Sequence, residues 1–215
     1  MKIGLFGGTF NPVHFGHLRA AEEIRESFSL DKIIFIPLNL PPHKNINDII
    51  SSHHRFTMLE NATKENSTFS VSKIEMERSG KSYSIETIKY FLKNSNPPPE
   101  LFFILGVDAF LDITTWEKYD KLFYLCNFIV MSRSGYPEVP LEKILPEDIS
   151  RDFTYLENMN SYIHVSKHAV HYTKISLLDI SSTKIRSNIK SGKSIKYLLS
   201  EVAEDYIKQN KLYKT

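Results

Sequence analysis

Residues 7–18 read GGTFNPVHFGHL. The stretch joins a short apolar run, KIGLF (2–6), to HFGHLRAAEEIRESFSL (14–30), where Leu18, Ala21, Ile24 and Phe28 recur at helical spacing. A second β-rich run, KIIFIPL (32–38), follows. One helix between two apolar strands is a βαβ unit, and such a unit implies a parallel sheet. The glycine turn then lies where a first strand feeds a first helix, and the remaining chain has to fit that frame.

It does so by alternation. A helix is expected over SSHHRFTMLENATK (51–64), a strand over FSVSKIEM (69–76), and a helix over 83–93, stopped by Pro97, Pro98 and Pro99. LFFIL (101–105) reads as a strand buried on both faces. Helical stretches follow at 108–113 and 119–125, then the strand NFIVMSR (127–133). Residues 134–161 have no clear period and read as an irregular loop or small insertion. TKISLLDI (173–180) reads as a last strand, and 181–215 as a C-terminal helical segment. The expectation is one domain, 1–215, of the α/β class: a doubly wound, Rossmann-like parallel sheet with helices on both faces. The order 3-2-1-4-5 would bring the glycine turn and Asp108 together at the topological switch point.

Composition narrows the function. With 27 basic and 25 acidic residues the formal charge is +2, too balanced for a general nucleic-acid binder. The single cysteine, Cys126, excludes an internal disulfide or a cysteine-rich zinc site, and its apolar surroundings suggest a buried, inert thiol. MKIGLFGGTF is too short an apolar stretch for a signal peptide or membrane span, so a cytoplasmic protein with no membrane partner is expected. The oligomeric state is left open, a homo-oligomer included.

The chemistry of the opening turn is that of an anion site. Gly7 and Gly8 let backbone approach a ligand, and the unpaired, partly positive N–H groups of the helix start suit phosphate. His14 and His17, three apart, share one side of the first turn and can both donate to phosphoryl oxygens. A zinc pair would need a third ligand, and HFGH lacks the acidic base of HExxH. Two SGKS segments, 79–82 and 191–194, lack the earlier glycine of a phosphate loop, since Glu75 and Ser187 stand there, and read as turns. HVSKHAVH (164–171) and His53–His54 read as solvated rather than metal-binding, and Arg55 as structural.

The turn resembles the GxFxPxHxGH signature of the nucleotidyltransferase superfamily, and ISSTKIR (180–186) resembles that superfamily's downstream ISSTxIR motif. Four further stretches resemble the nicotinate-mononucleotide adenylyltransferase family: PPHK (41–44), KSYSIETI (81–88), GVDAFLDITTW (106–116) and the tail VAEDYIKQNKLY (202–213). The resemblance implies ATP binding by Gly7, Gly8, Thr9, Phe10, His14, His17, Gly106, Asp108, Ile180, Ser181, Ser182, Thr183 and Arg186, with His17 and His14 catalytic. It implies acceptor binding by Lys44, Tyr83, Ser84, Ile85, Trp116 and Arg133. Ser84 departs from the family's threonine, and Arg133-Ser134-Gly135 from its Arg-Pro-Gly.

The implied reaction joins ATP and nicotinate mononucleotide, with Mg²⁺ accompanying the phosphates and no protein-held metal. The alternatives are another acceptor, such as nicotinamide mononucleotide, phosphopantetheine or glycerol phosphate, a non-catalytic nucleotide-binding module, or a histidine-rich metal hydrolase.

Overall fold

The computed structural model describes residues 1–39, 49–78, 82–132 and 135–214. The chain runs β1 (Lys2–Gly8), α1 (Phe15–Ser27), β2 (Lys32–Pro37), α2 (Ser52–Thr63), β3 (Phe69–Val71), α3 (Ser84–Lys93) and β4 (Glu100–Gly106). It continues through α4 (Val107–Leu111), α5 (Tyr119–Leu122), β5 (Asn127–Met131), α6 (Glu147–Ser150), β6 (Phe153–Leu156), β7 (Ser161–His164), β8 (Ala169–Thr173), α7 (Ser182–Lys190) and α8 (Glu201–Gln209). The strands form one sheet in the order β3-β2-β1-β4-β5-β8-β7-β6. Its first five positions are the expected 3-2-1-4-5 order.

Strand composition explains why both faces are covered. Ile3 and Leu5 of β1, with Phe103 and Leu105 of β4, face a core closed by Ile85 and Ile88 of α3 and Val107 and Phe110 of α4. Phe6, Phe102 and Ile104 face the opposite core, closed by Ala21 and Ile24 of α1, Met58 and Leu59 of α2, Ile185 of α7 and Ile207 of α8. A parallel strand buried on both faces must be apolar at successive positions, which is why LFFIL shows no alternation. Cys126 lies within the first core, 0 % exposed, and burial pushes its thiol far up.

Four expectations are corrected. The last strand is AVHYT (169–173), and 174–181 lies outside regular structure, because Leu177 and Leu178 stand exposed at a cleft mouth instead of pairing. Residues 134–161 contain α6 and β6, and β7 begins at Ser161. There the sheet becomes mixed: β7 runs antiparallel to β8, and β6 antiparallel to β7. A hairpin needs only local pairing, so strands of four or five residues suffice there, with polar residues among the buried ones, and leave no long apolar run to read. Finally, HVSKHAVH is not a solvated loop but this β7–β8 hairpin. His164 is 3 % exposed against Phe123, Tyr124 and Phe153, and His171 packs on Phe28 and Phe102. The strand expected over 69–76 is also shorter, ending at Val71. Among the described residues no helix is long and apolar enough to cross a membrane.

Candidate active site

At the C-terminal ends of β1 and β4 the order of strands reverses direction, and a cleft of about 1180 Å³ opens there. Gly7 and Gly8 line it from the end of β1, Thr9 and Phe10 from the turn after it, Gly106 from the end of β4, Asp108 from α4, and Ile180 to Thr183 with Arg186 from the start of α7. Ser82, Tyr83, Ser84 and Trp116 line another part of its wall. Both expected halves of the site therefore share one cavity.

The histidine pair is built by the helix start. His14 is the N-cap of α1, extended at φ −149°, and His17 is its third helical residue. Their rings stack with centroids 3.7 Å apart. The His14 backbone N–H donates to His17 Nδ1 at 3.3 Å, so the proton of a neutral His17 sits on Nε2. Phe10 is 2 % exposed and sits edge-on to His17, ring centroids 5.1 Å apart. Phe10 thus backs the imidazole ring. Gly16 is needed for the same pair, since a Cβ there would lie 3.0 Å from His14 Nδ1.

The second motif grips the first. Ser181 caps α7, accepting from the Lys184 N–H at 3.2 Å. Ser182 Oγ donates to the Pro12 carbonyl at 2.8 Å, and Arg186 Nη1 to the Asn11 carbonyl at 2.9 Å. These bonds span about 170 residues of sequence, and they bring the guanidinium of Arg186 to the edge of the glycine turn. Arg55 is structural, as expected. It is 1 % exposed and donates to the carbonyls of Thr9, Asn39 and Ile50, pinning the ends of β1 and β2 together. Burial lowers its pKa, the usual cost of a desolvated cation.

Across the cleft Tyr83 caps α3, so Ser84 and Ile85 are its first two residues, whose amides precede the intrahelical ladder. Ile85 is 3 % exposed with its side chain in the core, and it is not among the residues that line the cleft. Trp116 is half-buried, edge-on to Phe103 at 5.9 Å, and lines the cleft. It is therefore both packing and wall. Asp108 sits in the first turn of α4 rather than at its cap, which is Gly106. Lys44 and Arg133 lie outside the described residues.

Sequence reasoning passed over Glu75. It is 4 % exposed, its Oε1 accepts from Thr87 Oγ1 at 2.9 Å, and its backbone carbonyl accepts from Ser82 Oγ at 3.2 Å. Burial raises its pKa, against the opposing pull of Thr87 and Arg78. The residue ties the approach to α3 to the helix itself. In SKIEMERS (72–79) it stands among other charged residues, so no local signal marks it.

The cytidylyltransferase-like family profile matches residues 5–188. Two curated relatives, each described as "probable nicotinate-nucleotide adenylyltransferase", come from Geobacter sp. (strain M21), at 45% identity, and Geotalea uraniireducens (strain Rf4), at 43%. Each alignment covers 99% of this chain and 98% of the relative. The chain belongs to the nicotinate-nucleotide adenylyltransferase family. The fold agrees. A Plasmodium falciparum nicotinic acid mononucleotide adenylyltransferase, solved in complex with NaAD, matches at TM-score 0.72 and 20% identity, over 99% of this chain and 97% of that one. For a member of this family, a wall of imidazole, hydroxyl and guanidinium donors facing helix-start amides is the donor set that phosphate and carboxylate oxygens require. Among the described residues no group of three or more His, Cys, Asp or Glu is placed to hold a metal ion.

Proposed function

We propose that the protein transfers the adenylyl group of ATP to nicotinate mononucleotide, giving nicotinate adenine dinucleotide and pyrophosphate in NAD biosynthesis. The observation that carries the reading is the single cleft bounded by the His14–His17 pair, the α7 start and the α3 start. An acceptor phosphate oxygen attacks the α-phosphorus of ATP, a new P–O bond forms, and the bond to the bridging oxygen breaks, with its electron pair leaving on pyrophosphate. The acceptor is already an anion near neutral pH, so no general base is needed.

Catalysis is then positioning plus neutralisation of charge, where oriented reactants reach effective molarities of about 10⁵ M or more. His17 Nε2–H meets the α-phosphoryl oxygen as its charge grows. His14, Ser181 to Thr183 and Arg186 hold the departing pyrophosphate. Mg²⁺ arrives with ATP as part of the substrate, liganded by phosphates and water. Asp108 takes the adenosine side. The amides of Ser84 and Ile85 take the nicotinate carboxylate, Trp116 stacks on the cationic ring, and Lys44 and Arg133 attend phosphate.

The test is pyrophosphate release from Mg·ATP with nicotinate mononucleotide, nicotinamide mononucleotide or phosphopantetheine in separate reactions. Release well above the others with the nicotinate form is expected. Equal use of both mononucleotides would overturn the carboxylate role of the α3 start. Release only with phosphopantetheine would overturn the acceptor.

A further inference from the structure

The segment that joins β1 to α1 carries His14 and leads directly into His17, and it is held from four separate places. Arg55 of α2 holds Thr9, Arg186 and Ser182 of α7 hold Asn11 and Pro12, and the Leu198 carbonyl accepts from the Phe15 N–H at 3.1 Å. The fourth place is the end of the tail 202–213. Tyr213, in the segment after α8, donates its hydroxyl to Asn11 Oδ1 at 2.9 Å, across 202 residues of sequence.

That contact is built, not incidental. Asn11 is 4 % exposed and Tyr213 8 %. After α8 the chain turns inward through Lys211 at φ +52° and Tyr213 at φ +62°, a left-handed conformation that side chains other than glycine seldom adopt. Leu212 packs into the same core as Phe10 and Val13. The segment's base is fixed too: Ile207 of α8 is buried, and Tyr206 shares a 2.9 Å hydrogen bond with His54 of α2. The Arg186 and Arg55 guanidiniums lie close enough to pull the phenol pKa down, yet burial outweighs them and keeps the hydroxyl protonated as a donor. Packing alone would be served by phenylalanine. The hydroxyl is used on Asn11, whose carbonyl is the one that Arg186 grips.

We propose that Tyr213 is a positioning residue for the transfer step. Together with Arg186 it fixes Asn11, and so the loop that presents His14 and His17 to the triphosphate. The inference rests on the adenylyl-transfer reading.

The test is Tyr213→Phe, which keeps the ring and removes only the hydroxyl. Steady-state pyrophosphate release, Mg·ATP affinity measured without acceptor, and the thermal midpoint are read together. We expect kcat to fall about tenfold, or Mg·ATP to bind severalfold more weakly. KM for nicotinate mononucleotide should stay within about twofold, and the midpoint within a few degrees. In an Asn11→Ala background the same substitution should cost less than about twofold more, because its target is already gone. Wild-type kcat and ATP affinity in Tyr213→Phe would overturn the proposal. So would a loss that recurs in full on Asn11→Ala, which would make the hydroxyl's role independent of the loop. If the wild-type protein released no pyrophosphate with any acceptor, the functional reading would fail, while the ATP-affinity comparison would still decide the role of Tyr213.

Discussion

Gly8→Ala tests the packing that sets His17. Gly8 ends β1 in ordinary strand conformation, so a methyl group there is opposed by space and not by backbone angle. Its Cβ would lie 2.8 Å from Phe10 Cζ and 3.0 and 3.1 Å from the two Cε atoms. Ordinary contact begins near 3.4 Å, so ring and strand must separate by about 0.6 Å. Phe10 has nowhere to go freely. Its ring lies against Phe6, Phe35 and His17 at centroid distances of 5.7, 5.8 and 5.1 Å. Phe6 and His17 line the cleft together with Phe10, and His17 is the nearest of the three rings, so a displaced Phe10 presses on the imidazole.

Overpacking of this kind costs about 1–3 kcal/mol. A catalytic group misplaced by about 1 Å costs on the order of 10²-fold in rate, so a shift of half that predicts roughly tenfold. Urea denaturation followed by circular dichroism reads the first number, and pyrophosphate release the second. Phe10→Leu in the same chain should restore part of both, because the smaller side chain vacates the contact. Wild-type stability and rate in Gly8→Ala, or no rescue by Phe10→Leu, would refute the reasoning that Phe10 transmits position to His17.

Two further outcomes follow from buried titratable groups. Burial holds the Glu75 pKa above its usual 4.5, so the stability this group permits at low pH is lost as pH rises through the folded-state value. Glu75→Gln, which keeps an oxygen for Thr87, should therefore gain on the wild type in urea midpoint between pH 5 and pH 8; an equal gap at both would sink the idea. His171, its Nδ1 2.7 Å from Ser161 Oγ, is held below its usual 6.5 chiefly by burial. Stability should fall as pH drops below about 6.5, and His171→Gln should flatten that fall, read as urea midpoints at pH 7.5 and 5.5.

The sequence alone carried the frame and much of the site. Apolar runs at 2–6, 32–38, 101–105 and 127–133 announced parallel strands because strands buried on both faces have no polar positions to spare. The helix start at His14, the cap at Ser181 and the cap at Tyr83 were legible because capping and anion binding are local: the residues that act are the ones that make the turn. Cys126 and Arg55 were likewise readable from their neighbours.

What only the tertiary structure decided is every contact made across the chain. The β6–β7–β8 hairpins are not legible because short antiparallel strands carrying serine, threonine and histidine leave a weak pattern, and the last strand, AVHYT, lies within a histidine-rich stretch. Glu75 looked like one more acid until α3 closed over it. Tyr213 and Asn11, 202 residues apart, carry no periodicity or spacing that joins them. Local order follows from the short-range sterics and hydrogen bonding of neighbouring residues, whereas a buried hydroxyl meets an acceptor 202 residues away only once the packed core has brought the two segments together.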